Sequence, residues 1–583
     1  MEYPETTVIR DGMKIDWDVP IEMEDGVVLR CDVFRPVADG QYPVLITYGP
    51  YGKGLHFEDL YTQQWRLMCE LHPDVPAGST NKYQNWEVVD PEKWVPDGYV
   101  CIRVDSRGAG RSPGLLDIWS LREAEDFKQC IDWAGVQPWS NGKVGINGIS
   151  YYAMNAWKTA SLQPKHLTAI CTWEGAADFY RDMAYHGGIL CNGFSDNWSR
   201  NQVYSVQHGK GANGFRSRYT GDWVSGPPTL TEEQLGANRR DFYADVMANP
   251  LDTSDYWQSR MPDWTKVEVP VFSACNWGGQ GLHPRGNFEG FVRAAAEEKW
   301  LEVHGREHWT EFYTDYGVAL QKKFFGHFLK GEDTGWADQP KVLLQVRHPG
   351  EVFVERAESE WPLARTDWQK HYLDAGDLTL RREPPAEAAS VTYDGFGDGV
   401  TFTTPALPAP TEITGPIAAK LFVESATEDA DLFLVVRVFT PDFREVVFAG
   451  ALDPNTPIAQ GWLRVSHRKL DPVLSEPYRP YHTHDEVQPM TPGEVYEVDV
   501  EVWPTCIVAP AGYRVALSVR GRDYVWPGGT SGGLETLGTA WHGCGPFTHT
   551  ESRDRPVDIF GGKVTLHTGP DRPSYLLLPV IPS

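Results

Sequence analysis

Ser150 stands in the stretch Gly145-Ile146-Asn147-Gly148-Ile149-Ser150-Tyr151-Tyr152-Ala153. An apolar run ends, small residues permit a tight turn, a serine sits at its tip, and helix-compatible sequence follows. This is the arrangement of a nucleophile elbow, where close approach of strand and helix demands small neighbours and exposes the hydroxyl. The usual pattern is G-x-S-x-G. Here Tyr152 takes the place of the second glycine and Ala153 follows, so an ordinary strand-to-helix turn is the competing reading. A serine needs a base, and the base needs an acid that orients it. The base is expected after a later strand. Trp300-Leu301-Glu302-Val303 reads as such a strand, and His304 and His308 follow it. His308, farther out in the loop, is the expected base, and His304 reads as a structural residue at the strand end. The run His304 to His308 also has the H-x-x-E-H zinc spacing. That motif needs both histidines on one helical face, and Gly305 with the strand before it argues against a helix.

The elements that must position these groups alternate in the first half. Val27–Phe34, Pro43–Tyr48, Tyr99–Val104, Lys143–Asn147, Leu167–Thr172, Val269–Ala274 and Trp300–Val303 read as strands. A capping box, Ser120-Leu121-Arg122-Glu123, opens a helix whose expected stop is Gly135. This rhythm implies a mostly parallel sheet with helices on both faces. Residues 178–262 show helical pieces and no clear strand, as an inserted cap would. Gly52 to Pro91 is a second long excursion. From about Gln339, short strands and Pro/Gly turns imply an all-β sandwich, in jelly-roll form. The expected organisation is therefore an α/β-hydrolase domain in two parts, 1–177 and 263–338, a helical cap at 178–262, and a β domain at 339–583.

The chain has 583 residues, for which usual domain sizes suggest about three or four domains. Lys plus Arg number 53 against 80 Asp plus Glu, a net charge of −27. Such acidity disfavours nucleic acid or an anionic membrane as the partner. No run approaches the roughly 18 apolar residues of a membrane span. The polar first twenty residues lack the apolar core of a secretory signal. The nine cysteines are scattered, with none in a C-x-x-C pair. They read as reduced core residues, and a cytoplasmic location is expected.

Taken together, several segments resemble the cocaine esterase and X-Pro dipeptidyl-peptidase-like (CocE/NonD) serine hydrolases over most of the chain. They are Asp25-Gly26-Val27-Val28-Leu29-Arg30, the loop Asp105 to Ser112, Ser150-Tyr151, His308, and the β-rich half closing on Ser574 to Pro582. The resemblance implies an α/β-hydrolase domain, a helical cap and a jelly-roll domain. It also implies an oxyanion hole built from a tyrosine hydroxyl in a Pro-Tyr pair, here Tyr51, and the backbone N–H after the nucleophile, here Tyr151. Preorganised donors of this kind stabilise the charge of a tetrahedral intermediate.

The sequence departs from the family at the acid, which normally follows the strand before the histidine strand. Cys275 to His283 holds no carboxylate. Glu174, after the strand that follows the nucleophile helix, is the expected substitute and keeps the order Ser, acid, His. Asp178 and Glu289 are the other candidates. Tyr152, Trp173, Asn276, Trp277 and His283 lie at expected strand tips, the first four as candidates to bind substrate. His482-Thr483-His484 looks metal-like and reads as a solvated loop. No cofactor or metal is expected.

The leading function is a serine carboxylesterase or amide hydrolase acting on a small molecule. A dipeptidyl peptidase releasing X-Pro units is the enzymatic alternative, and it requires carboxylates such as Asp182 or Glu232 to hold a free amino terminus. A binding protein on a degenerate hydrolase scaffold is the third reading. Exposed β-domain surfaces leave a homo-oligomer open.

Overall fold

Residues whose runs are apolar throughout form strands buried on both faces, as a helix-covered parallel sheet requires. In the computed structural model, which describes residues 6–529, 533–534 and 539–582, Val100–Asp105 and Val271–Asn276 are buried at every position. The strands in chain order are β1 (Thr6–Arg10), β2 (Met13–Glu22), β3 (Val28–Pro36), β4 (Tyr42–Gly49), β5 (Val100–Asp105), β6 (Ser140–Ile149), β7 (Leu167–Trp173), β8 (Tyr185–His186), β9 (Ile189–Leu190), β10 (Val271–Asn276), β11 (Lys299–His304), β12 (Val342–His348) and β13 (Val352–Glu358). Eleven of them form one sheet in the order β1-β2-β3-β5-β4-β6-β7-β10-β11-β12-β13. The central pairings, from β5 to β12 in that order, are all parallel. Parallel register sets Ile149 beside Trp173, Trp173 beside Ala274, and Asn276 beside His304. The carboxyl ends of four strands therefore meet at one rim, where open α/β sheets place their ligands.

The structure corrects several expectations. Val342–Val346, expected to open the β domain, lies instead in β12 (Val342–His348), which pairs in parallel with β11, and Val352–Glu358 follows as the sheet's antiparallel edge. The first sheet thus runs past residue 338. The capping box at Ser120 is half formed. The Ser120 side chain accepts the Glu123 N–H, but the Glu123 carboxylate turns away to Trp119 N–H and the Tyr151 hydroxyl. The helix, Leu121–Gly135, ends at the glycine expected as its stop, and a Cβ there would run into the His166 ring at 2.1 Å. Gly135 is therefore also a close-packing residue.

Residues 178–262 hold short helices such as Asn192–Trp198 and Phe242–Ala248, together with the β8–β9 hairpin. The C-terminal strands form a second sheet of twelve. Thr411–Ser425 pairs with Val495–Ala509 on one side and Tyr575–Ile581 on the other, which closes the sheet on itself. Its interior is a separate apolar core that includes Leu421, Leu434, Val500 and Leu517. His482 and His484, expected in a solvated loop, are buried, and the two ring Nδ1 atoms of His484 and His467 lie 3.0 Å apart. All nine cysteines are free, and all but Cys69 are buried. Among the described residues, no helix is long and apolar enough to cross a membrane.

Candidate active site

Ser150 ends β6 and opens the helix Tyr151–Ser161 with φ 56° and ψ −115°. A non-glycine residue held in this region is strained, and strain of this kind marks functional turns. The turn is tight. A Cβ at Gly148 would lie 2.5 Å from the Tyr152 Cβ, so the position requires glycine. The helix starts at Tyr151, so the N–H groups of its first turn have no intrahelical acceptor. The Tyr151 amide is one of them.

Tyr51 lies just past β4 and lines the same cavity as Ser150. Its oxygen accepts the Trp198 indole N–H at 3.1 Å. An acceptor lone pair is thereby used, and the hydroxyl hydrogen remains to be donated. Burial pushes the Tyr51 phenol well above its ordinary range, which keeps it a donor.

His308 also lines the cavity, and its backbone N–H donates to the Ala451 carbonyl at 3.0 Å. Its Nε2 lies 2.8 Å from Glu87 Oε1, in hydrogen-bond geometry. One face of the ring stacks on His283 at 4.8 Å. Burial pushes the His308 imidazole well below its ordinary pKa, helped by His283 and His304. Burial also pushes the Glu87 carboxyl well above its own. The pair therefore carries no net charge and holds one proton between carboxyl and imidazole.

The expected contact between Glu174 and His308 is not formed. Glu174 Oε1 instead lies 2.9 Å from His304 Nε2. The other nitrogen of His304 meets Glu302 Oε2 at 2.6 Å. Two buried carboxylates outweigh the desolvation of His304 and raise its pKa to about 10. The reason is positional. His304 is the last residue of β11, at the level of the β7 tip that carries Glu174, whereas His308 has moved out into the loop. Asp178 pairs with Arg181 and Glu289 with Arg479, so neither substitute reaches His308.

None of the four expected substrate-binding side chains lines the Ser150 cavity. Trp173 stacks on His304, Trp277 donates its indole N–H to the Gln345 carbonyl, Asn276 donates to the Arg306 carbonyl, and Tyr152 packs edge-on against Tyr51. Asp182 is held by Arg285, and Glu232 reaches Lys210 on the surface. The lining comes instead from Trp86 and Glu87, from Phe194 and Trp198, and from Leu452 and Phe547 of the C-terminal half. Glu87 is the one carboxyl among these residues. It sits in the excursion between β4 and β5 with φ 60°, and its carbonyl accepts the Ile149 N–H beside the elbow. No motif in the sequence marks it. The cavity is small, about 30 Å³, and shares Trp309, Ala451 and Leu452 with a neighbouring apolar cavity of about 320 Å³ lined by Leu67, Met68 and Trp541.

The cavity thus brings together a hydroxyl on a strained elbow, an imidazole–carboxyl pair and a buried tyrosine hydroxyl. The comparisons with known proteins place the chain among hydrolases. The profile of the X-Pro dipeptidyl-peptidase (S15 family) matches residues 25–310, and that of the X-Pro dipeptidyl-peptidase C-terminal non-catalytic domain matches residues 334–577. A cocaine esterase from a Rhodococcus species is 24% identical over 633 aligned positions, 97% of this chain and 98% of the relative. An aminopeptidase from a marine-sediment Thaumarchaeota archaeon shares the fold, with a TM-score of 0.69 at 14% identity over 100% of this chain and 99% of its own. A CocE/NonD family hydrolase from Staphylococcus aureus is 32% identical with a TM-score of 0.85, covering 100% of this chain and 97% of that one. The chain belongs to the CocE/NonD family of serine hydrolases, within the wider S15 group of esterases and X-Pro dipeptidyl-peptidases.

Proposed function

We propose that the protein is a serine carboxylesterase that cleaves esters with a bulky apolar group. Ser150 attacks the acyl carbonyl. Its proton passes to the Glu87–His308 pair, which returns it to the departing alcohol. The Tyr51 hydroxyl and the Tyr151 amide hold the developing oxyanion. Water then repeats the sequence and frees the acid. In this Ser-His-Glu set the carboxyl is Glu87, while Glu174 acts at a distance by holding His304. Segment 178–262 serves as the cap over the pocket, and the closed β domain is a jelly roll.

The observation that carries this reading is the meeting of Ser150, Tyr51 and His308 on one cavity. The apolar cavity of about 320 Å³ beside it is of ligand size and suits a hydrocarbon-rich acyl or alcohol group. A peptidase that grips a free amino terminus is the second reading, favoured only by Glu87, the lining carboxyl, which is already engaged by His308. p-Nitrophenyl esters of increasing chain length, run beside X-Pro p-nitroanilides, decide between them. The esterase reading expects kcat/KM to rise with acyl length and organophosphate labelling to vanish in Ser150→Ala. Faster turnover of the X-Pro anilides would reverse the assignment.

A further inference from the structure

Three chemically active side chains meet away from the Ser150 cavity, where the β8–β9 hairpin docks on the C-terminal half. His186 Nδ1 and His549 Nε2 face each other at 2.9 Å. The Cys191 sulfur completes a group whose ligand atoms all lie within 4.8 Å of one another. All three residues are buried.

The far nitrogens fix what the near ones can be. His549 Nδ1 lies 2.7 Å from Asp523 Oδ1, and the Asp523 carboxylate also accepts the His549 backbone N–H. A carboxylate is an acceptor only, so His549 carries its proton on Nδ1 and presents a bare lone pair from Nε2. His186 Nε2 lies 3.2 Å from the Asp182 carbonyl, another acceptor. The tautomer with its proton on Nε2 leaves Nδ1 bare as well, whereas the other tautomer donates Nδ1–H to His549 Nε2. In the first tautomer two lone pairs meet at 2.9 Å, a juxtaposition that a shared cation relieves. An extra proton would leave an imidazolium among Trp462, Phe433 and Trp503, without a carboxylate on the shared side. A divalent metal with the Cys191 thiolate is also balanced, because the thiolate and Asp523 together supply two negative charges, and it uses all three side chains of the group.

We propose that His186, Cys191 and His549 bind a divalent transition metal of the Zn²⁺ class. The donor set, two imidazoles and a thiolate, is one that Zn²⁺ takes. Asp523 and the Asp182 carbonyl are outer partners of the kind that hold ligating histidines in the correct tautomer. Two Zn–N bonds of about 2.0–2.1 Å at a tetrahedral angle need nitrogens about 3.3 Å apart, so the rings part slightly from 2.9 Å when the ion binds. The sequence spacings are H-x4-C at 186–191 and C-x4-H at 544–549. Each arm leads directly to the active site. Phe194 follows Cys191 by three residues, Phe547 precedes His549 by two, and both phenylalanines line the Ser150 cavity. The metal would pin the segment after β7 to the C-terminal half and set the spacing of these two walls.

The test is metal content and cobalt spectroscopy on the full-length protein. Purified without chelator, the protein is expected to carry close to one metal ion per chain by plasma mass spectrometry. After stripping, it should take up one Co²⁺ with a thiolate-to-cobalt charge-transfer band and the strong visible bands of a four-coordinate site. Cys191→Ser should lose the charge-transfer band, and His549→Ala should lose most of the Co²⁺ uptake. If the variants fail to fold, the wild-type cobalt spectrum decides alone. Wild-type protein that takes up no Co²⁺ or Zn²⁺ in competition with a chromophoric chelator, takes up Co²⁺ without sulfur charge transfer, or keeps full uptake in both variants would overturn the proposal.

Discussion

His304 and His308 lie four residues apart at the end of one strand, and the fold gives them opposite charge states. His304 is gripped by Glu302 and Glu174 from both ring nitrogens and is held charged, with a pKa of about 10. His308 has one carboxyl, Glu87, and a second imidazole stacked on its face, and it is held neutral. Burial alone would keep both neutral. The number of carboxylates in contact decides the outcome. A charged imidazole cannot accept a proton from a serine, whereas a neutral one can. The same residue type thus becomes a structural cation at one position and a candidate base at the next turn of chain.

The comparison is most directly broken by deleting each ring. Ser150→Ala and His308→Ala are each expected to lower kcat by about 10⁴–10⁶ against p-nitrophenyl esters, while His304→Gln keeps kcat within about tenfold and lowers the unfolding temperature. A large kcat loss in His304→Gln at unchanged stability would exchange the two roles. Glu87→Gln follows, with a loss of about 10²–10⁴. Glu87 must ionise to help the imidazole, and its pKa is raised. Wild-type activity should therefore climb with pH above the usual carboxylate range, and the variant should lack that limb. Tyr51→Phe removes the hydroxyl proposed as an oxyanion donor and should cost about 10²–10³ in kcat with little change in KM.

Glu174→Gln sharpens the contrast from the other side. It strips one carboxylate from a buried cation and should cost about 3–5 kcal/mol in urea unfolding, leaving kcat within about tenfold. The smallest effect is on pH-dependent stability. The folded pKa of His304 lies above its unfolded value of about 6.5. Its contribution is therefore complete below that pH and is lost as pH rises through about 10. The upward shifts of Glu174 and Glu302 act in the same sense. Unfolding midpoints followed from pH 6.5 to 10 should fall more steeply in the wild type than in His304→Gln.

What could be read in the sequence depended on whether position is set locally. The elbow at Ser150 is written in nine consecutive residues, and the strands around it were legible as apolar runs: Leu167–Thr172 appears as Leu167–Trp173 and Trp300–Val303 as Lys299–His304. His308 could be named because a base belongs in the loop after a late strand. Its carboxyl partner could not. Glu87 lies 221 residues away, in an irregular excursion, and reaches the ring only because its backbone docks beside Ile149. Glu174, expected on His308, meets His304 four residues earlier for the same reason. Sheet register assigns it to the histidine at the strand tip, and register between distant strands is not written in either strand alone. Val342–His348 pairs with β11 and Val352–Glu358 pairs with Val342–His348, and only these pairings assign the two strands to the first sheet.

The bond from His308 N–H to the Ala451 carbonyl has a consequence for modularity. The loop bearing the proposed base is fastened by its main chain to the other half of the molecule, which also supplies Leu452 and Phe547 to the pocket. A truncated N-terminal half would keep Ser150 and lose the brace on the His308 loop. Turnover therefore belongs to the entire polypeptide. Exchange of C-terminal halves between relatives should carry substrate preference along with it.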